Sequence, residues 1–531
     1  MRHLLLSLSV MVLAVASAMA QSNTESDNYK RGLECIQNEN AGEALEYFSK
    51  DLQDNDKNGY SYAWIAMIYT DNGQYSQALD AANMAVKYIP KEDHEYTKFA
   101  YTTRAKIYYS IGDTAKTLED YTAVISLCPE IAALYPDRAE VYYQIGKYDL
   151  SDADYLKFAE IEPGNVVGYM GLGRNANAQG RWSDAVKQFD HAATLAKDYS
   201  SAYSFRAESY MGLEKWDEAT NDIITALTLD WDMQAISLIG RLNGSASDMM
   251  TEKLCAQAAK DATDQKWPLL LGLKYEKDKQ YAKAIEAFGN AAGIEPTSVI
   301  YQHAAQCQYT LGLYGDALQS IDKGLTLEMD SADFRLMKLL KAANLYELNK
   351  PDQAISELNE IIAMWPNFAY GYYLRGQINY LCGNMDAAVE NLNTSLMLNP
   401  KDSRALLYRC RAYTRQGKPE LAQADYRKIM EQEEADGSYN CIPYAYLALG
   451  QKDKATAAMD AIIARNTADM GSYYDAACLY SKMQDKDKAL ACLAKVFELG
   501  FCQFVHLDND DDMDFLRNTE EFKALVAKYK K

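Results

Sequence analysis

Past residue 20 the chain has no apolar run approaching the ~20 residues that a membrane-spanning helix requires, so membrane insertion of the mature protein is not expected. It is also short of positive charge: acidic residues exceed basic ones by 21, and the excess is spread along the chain. That balance disfavours nucleic acid or an anionic membrane surface as partner and favours solubility. Histidine is scarce, and His3, His94, His191, His303 and His506 stand at no metal-ligand spacing. Neither a nucleophile elbow nor a phosphate-cradling loop is present. The acidic run Asp508, Asp510, Asp511, Asp512 and Asp514 departs from a helix-loop-helix calcium loop: Met513 stands where the sharp turn needs glycine, and Thr519 where the bidentate glutamate belongs. No enzyme activity, cofactor or metal is therefore expected.

The chain opens on a segment of a different kind. Arg2 and His3 precede an apolar run from Leu4 to Ala16, and Ala18 and Ala20 supply the small residues a signal peptidase reads. Residues 1–20 are expected to be a signal peptide, with Gln21 the first mature residue. The protein is then exported, periplasmic or secreted, and soluble. A lipoprotein would need cysteine at the cleavage point, and the nearest is Cys35.

A length of 531 residues exceeds one ordinary core and leaves several domains or one repeated array. With 48% apolar and 24% charged residues, the chain folds along most of its length. Self-similarity decides for the array. Gly73, Gly112, Gly146 and Gly383 are each followed seventeen residues later by proline, at Pro90, Pro129, Pro163 and Pro400. Five residues after the glycine comes a small residue, as at Ala78, Ala185, Ala388, Ala422 and Ala455, and these recur every 34 residues through Ser151, Ala185 and Ala219. The stripe Tyr62, Ile65, Ala66 and Tyr69 predicts a first helix that Gly73 ends in a left-handed conformation. Ala78, Ala82 and Ala85 predict the buried face of a second, stopped by Pro90. One hairpin cannot bury its own apolar face, so neighbours must stack.

This 34-residue pattern resembles the tetratricopeptide repeat over nearly the whole mature chain, in the manner of an exported bacterial member. The resemblance implies an all-α, right-handed superhelical solenoid of antiparallel helix pairs. Units start near 25, 59, 98, 132, 166 and 200, and again near 265, 298, 335, 369, 403, 436 and 470. The expected organisation is an N-terminal array over 21–231, a degenerate bend over 232–264 with a loop at Asn243–Ser247, a C-terminal array over 265–503, and a capping helix over 504–531. Extra residues at Lys91–Thr97 and Asp330–Phe334 read as lengthened turns.

An arginine recurs at Arg104, Arg138, Arg206 and Arg409, each with an aspartate sixteen residues later, at Asp120, Asp154, Asp222 and Asp425. These read as structural ion pairs between the two helices of a hairpin. First-helix positions 2, 5, 9, 12 and 13 fall within roughly 100° of one another, away from the buried stripe. In the repeat family that face lines the inner groove. On it stand Tyr370, Tyr373, Gln377 and Tyr380 in one unit and Arg404, Arg411 and Arg415 in the next. Tyrosines beside an arginine stripe suit a protein or peptide partner carrying carboxylates. A chaperone-carboxylate clamp is not matched, with Met170 and Phe205 where its residues would fall. The ten cysteines read as buried thiols at small-residue positions, Cys410 taking the slot of Gly376. If one pair bridges, it is Cys478 with Cys492. The expected function is a non-enzymatic adaptor of the bacterial envelope, and the alternative is a self-associating structural spacer.

Overall fold

The computed structural model describes residues 26–436, 441–465 and 467–530. The expected signal segment and Gln21 lie outside them. Among the described residues all regular secondary structure is helical, and successive helices pair as hairpins, giving an all-α repeat solenoid. The chain divides into two compact units, Met1–Met250 and Thr251–Lys531. No helix among the described residues is long and apolar enough to cross a membrane.

The hairpin of helices Gly59–Asp71 and Tyr75–Tyr88 shows how the sequence builds a repeat. Asn58 accepts the backbone N–H of Tyr60 and starts the first helix. Gly73 takes φ +71°, and the amides of Gly73 and Gln74 close onto the carbonyls of Thr70 and Tyr69 at 3.0 and 2.8 Å. Ala78, Ala82 and Ala85 are fully buried, and Pro90 follows the helix end. The same left-handed turn recurs at Gly112, Gly146, Gly180, Gly312, Gly383, Gly417 and Gly450. It is also adopted by Glu39, Glu214, Lys279, Asn349 and Gln484, at φ of 58–59°. Those five turns carry no glycine signature; Asn349 tolerates the conformation, whereas at Glu39, Glu214, Lys279 and Gln484 packing of the flanking helices holds a conformation disfavoured by about 1–2 kcal/mol.

Close approach of the two helices explains the small residues. A Cβ on Gly173 would stand 2.5 Å from the Phe189 ring. One period away, Ala139 and Ala207 occupy the equivalent place fully buried, as does Cys410 in the second unit. The arginines add polar bolts. Arg104, Arg138, Arg206 and Arg409 each form two hydrogen bonds of 2.7–2.8 Å to the aspartate sixteen residues on. Each guanidinium also reaches back to the preceding hairpin: Arg138 to Thr122 (3.1 Å), Arg206 to Asp190 (2.6 Å) and Arg409 to Asn393 (2.8 Å). One side chain therefore fixes both the hairpin and its stacking, which pairwise spacing did not reveal.

Three expectations are corrected. The extra residues near 91–97 and 330–334 do not lengthen turns: helices His94–Ser110 and Ser331–Glu347 run 17 residues against 13 for Gly59–Asp71, an added helical turn. Asp93 and Asp330 cap those extended starts. The Asn243–Ser247 loop shrinks to residues 242–243 between helices Met233–Arg241 and Gly244–Lys260, because Ala246, Met250 and Leu254 form a buried stripe that outweighs the loop-like composition. The segment 504–531 is not one capping helix. It breaks into Phe504–Asn509, a 3-10 turn Asp511–Met513, Asp514–Arg517 and Glu520–Tyr529. Asp510 caps the 3-10 turn and forces the break.

Candidate functional site

The residues after the last hairpin of the second unit run back across its first helices. The Cys502 carbonyl accepts from the Tyr314 hydroxyl at 3.0 Å, and Gln503 donates to Tyr309 at 2.8 Å. The amides of Val505 and His506 bond Glu347. Asn509 meets Tyr346 at 3.4 Å, and Tyr380 donates to both oxygens of Asp511 at 2.6 and 2.8 Å. Asp510 accepts from Tyr474 at 3.0 Å, while Asp512 binds both Arg411 and Lys482, the latter at 2.8 Å. Every one of these helix partners except Tyr314 lies at position 5, 9, 12 or 13 of its unit. Leu507, Met513, Leu516 and Phe522 anchor the segment in the core around Tyr444, Leu479 and Phe497.

The expected binding residues therefore divide into two groups. Tyr380 and Arg411 are buried and engaged by the chain's own Asp511 and Asp512. Arg411 also lies over the rings of Tyr408 and Tyr444, at 5.4 and 5.0 Å. Tyr373 is buried against Tyr408, and Gln377 donates to the Tyr408 hydroxyl at 2.7 Å. Tyr370, Arg404 and Arg415 remain exposed. Arg415 covers the Tyr380 ring at 5.4 Å, and Tyr370 stacks on Tyr373. The sequence indicated this face through its periodicity. It carried no sign that Asp511 and Asp512, more than a hundred residues on, would reach it.

Two cavities of about 390 Å³ each flank the segment and share Gln377, Gln503 and His506 in their walls. The first is lined by Arg404, Arg411, Tyr408, Tyr444, Tyr474 and Asp475 among others. Desolvation pushes the Asp475 carboxyl up to about 6, against the pull of Arg411 and Arg404. The second holds Glu347, whose carboxyl burial pushes up to about 7 despite the two backbone amides it receives. Burial likewise lowers the affinity of the His506 ring for its proton and raises the Cys478 thiol.

Cys478, Asp510 and Asp512 bring ligand-type atoms within 4.8 Å of one another, all buried. Arg411 and Lys482 already meet the charge of Asp512, and Asp510 takes hydrogen bonds from Tyr474 and Cys478. That cluster is a hydrogen-bonded core. All ten cysteines are free, and the Cys478 thiol turns to Asp510 at 3.5 Å instead of pairing with Cys492.

Comparison with known proteins bears on the repeat itself. Family models described as tetratricopeptide repeat match residues 339–396 and 471–499. The DnaJ homolog subfamily C member 7 homolog of Schizosaccharomyces pombe is 21% identical over 215 residues, covering 37% of this chain and 44% of that protein. Human tetratricopeptide repeat protein 16 is 22% identical over 288 residues, 51% of this chain and 29% of that protein. The chain thus spans less than half the length of these curated relatives. A solved tetratricopeptide repeat protein from Parabacteroides merdae is 17% identical, covering 53% of this chain and 98% of its own, with a TM-score of 0.35. The 34-residue hairpins and their left-handed turns agree with these matches: residues 339–396 and 471–499 match the tetratricopeptide repeat, within an all-α repeat solenoid.

Proposed function

We propose that the chain is a non-enzymatic scaffold of the bacterial cell envelope that takes a protein or peptide partner on the first-helix face of residues 251–531. One observation carries this reading. An acidic stretch, the chain's own residues 502–512, already lies on that face as a short helix and a 3-10 turn, its aspartates on Tyr380, Arg411 and Lys482. The groups presented there thus match carboxylate-bearing peptide, and the exposed Tyr370, Arg404 and Arg415 offer the same chemistry outward. Arginine suits the role because its planar fork binds carboxylate in two hydrogen bonds.

The test is capture of envelope proteins on the immobilised mature chain and on R404E/R415E. A partner held by the parent and lost by the variant supports the reading and identifies the ligand. Equal capture by both rejects this face, and oligomers that persist in the variant favour a self-associating spacer.

A further inference from the structure

The first cavity is lined by two side chains of opposite charge, Arg404 and Asp475, that no other side chain bonds among the described residues. Arg404, at the start of helix Ser403–Arg415, makes no ion pair or side-chain hydrogen bond among the described residues. The Asp475 carboxylate, on helix Met470–Lys482, accepts no hydrogen bond there either, while its main-chain carbonyl accepts from the Tyr444 hydroxyl at 2.8 Å. Each nevertheless feels the other's charge across the cavity. The Nε of Arg411, nine-tenths buried in the same wall, has no partner. Arg404 and Asp475 keep access to solvent, whereas an unmet buried donor such as the Arg411 Nε is costly, and native structures keep few of them without a reason. The remaining wall is aromatic, from Tyr373, Tyr408, Tyr444, Tyr474 and Phe501. A volume near 390 Å³ falls within the size range of small-molecule sites.

We propose that this cavity binds a small zwitterion of amino-acid size, its carboxylate on Arg404 and the Arg411 Nε, its ammonium on Asp475, and its side chain against the tyrosines. Opposite charges on one ligand fit where a simple anion would meet Asp475 and a simple amine would meet Arg404. Residues 501–510 supply one wall through Phe501, Gln503, His506 and Asp510, so the site exists only with the C-terminal segment docked. The proposal goes beyond protein binding and stands without it.

The test uses the full mature chain, a thermal-shift panel of the twenty standard amino acids, and calorimetry on any that raise the melting temperature. The charge-deleted analogues of the best binder, one lacking its amine and one lacking its carboxylate, are titrated alongside. The variants are Arg404→Gln and Asp475→Asn. Neither side chain is bonded within the described chain, so the unliganded melting temperature should not fall. The expected result is micromolar to millimolar binding that weakens about tenfold or more in each variant, as for loss of a charge-assisted hydrogen bond. Asp475→Asn should leave affinity for the amine-free analogue unchanged, and Arg404→Gln should leave that for the carboxylate-free analogue unchanged. No shift by any amino acid, or equal binding by parent and both variants, overturns the proposal. Because Asp475 takes no part in the capture experiment above, its variant separates failure of this site from failure of partner binding.

Discussion

Asp512→Asn is the most informative single change in the second unit. Asp512 is 1% exposed and Arg411 9%, and the guanidinium cannot shed its proton when its partner is lost. Removing one member of a buried pair typically costs about 3–5 kcal/mol. Here the expected loss is about 3 kcal/mol, since asparagine still accepts one hydrogen bond and the Tyr408 and Tyr444 rings retain part of the attraction. Arg411→Met is milder, about 1–2 kcal/mol, because Asp512 keeps Lys482 and the solvent that Lys482 reaches. The double variant Asp512→Asn/Arg411→Met should cost no more than Arg411→Met alone, a coupling of about 3 kcal/mol. Repeat arrays seldom unfold in two states, so the assay is hydrogen exchange at the amides of Leu507 and Met513 under native conditions. Equal losses for the two single variants, or a double variant equal to their sum, would refute an electrostatic lock between segment and helices.

Gly383→Ala should destabilise the second unit by about 1 kcal/mol, read from its urea midpoint: nothing lies within 4 Å of the added Cβ, so only the left-handed backbone resists it. Glu214→Gly should raise the stability of the first unit by about 0.5–1 kcal/mol at its left-handed turn. Glu347 holds its proton up to about pH 7 in the folded chain, against 4.5 for the free group. The stability this gives is full below pH 4.5 and lost as pH rises through 7, about 3 kcal/mol in all. Glu347→Gln should remove that slope between pH 5 and 8 in thermal melts. Arg206→Lys should cost the first unit about 1–2 kcal/mol in urea unfolding, because one ammonium cannot span both Asp222 and Asp190.

The hairpins were legible because their cause is local. A glycine that must adopt positive φ, an alanine that must be small and a proline that must end a helix each leave a trace at a fixed offset. The arginine–aspartate pairs were legible for the same reason, since both partners belong to one hairpin. The turns at Glu39, Glu214, Lys279 and Gln484 were hidden, because tertiary packing imposes a conformation those side chains do not prefer. The added helical turns at His94 and Ser331 were misread because an aspartate and a few polar residues suit a loop as well as a capped start. The first-helix face proposed for binding was singled out by helical geometry together with the family resemblance, while the docking of Asp511 and Asp512 on it depends on contacts 101 to 131 residues apart that no periodicity encodes.

In an ordinary stack of repeats each unit meets only its neighbours, so the ends can fray while the middle holds. The return of residues 502–512 changes that arithmetic. Gln503 meets Tyr309 across 194 residues, Cys502 meets Tyr314 across 188, and Asn509 meets Tyr346 across 163. The array from about 298 to 529 thereby becomes a closed ring of dependence, in which loosening one hairpin removes support from another far along the chain. Such long-range closure slows folding, since a large loop must be gathered before these contacts form. It also makes the stretch melt as one block, and a cut near residue 500 would return five or more hairpins to independent, stepwise unravelling.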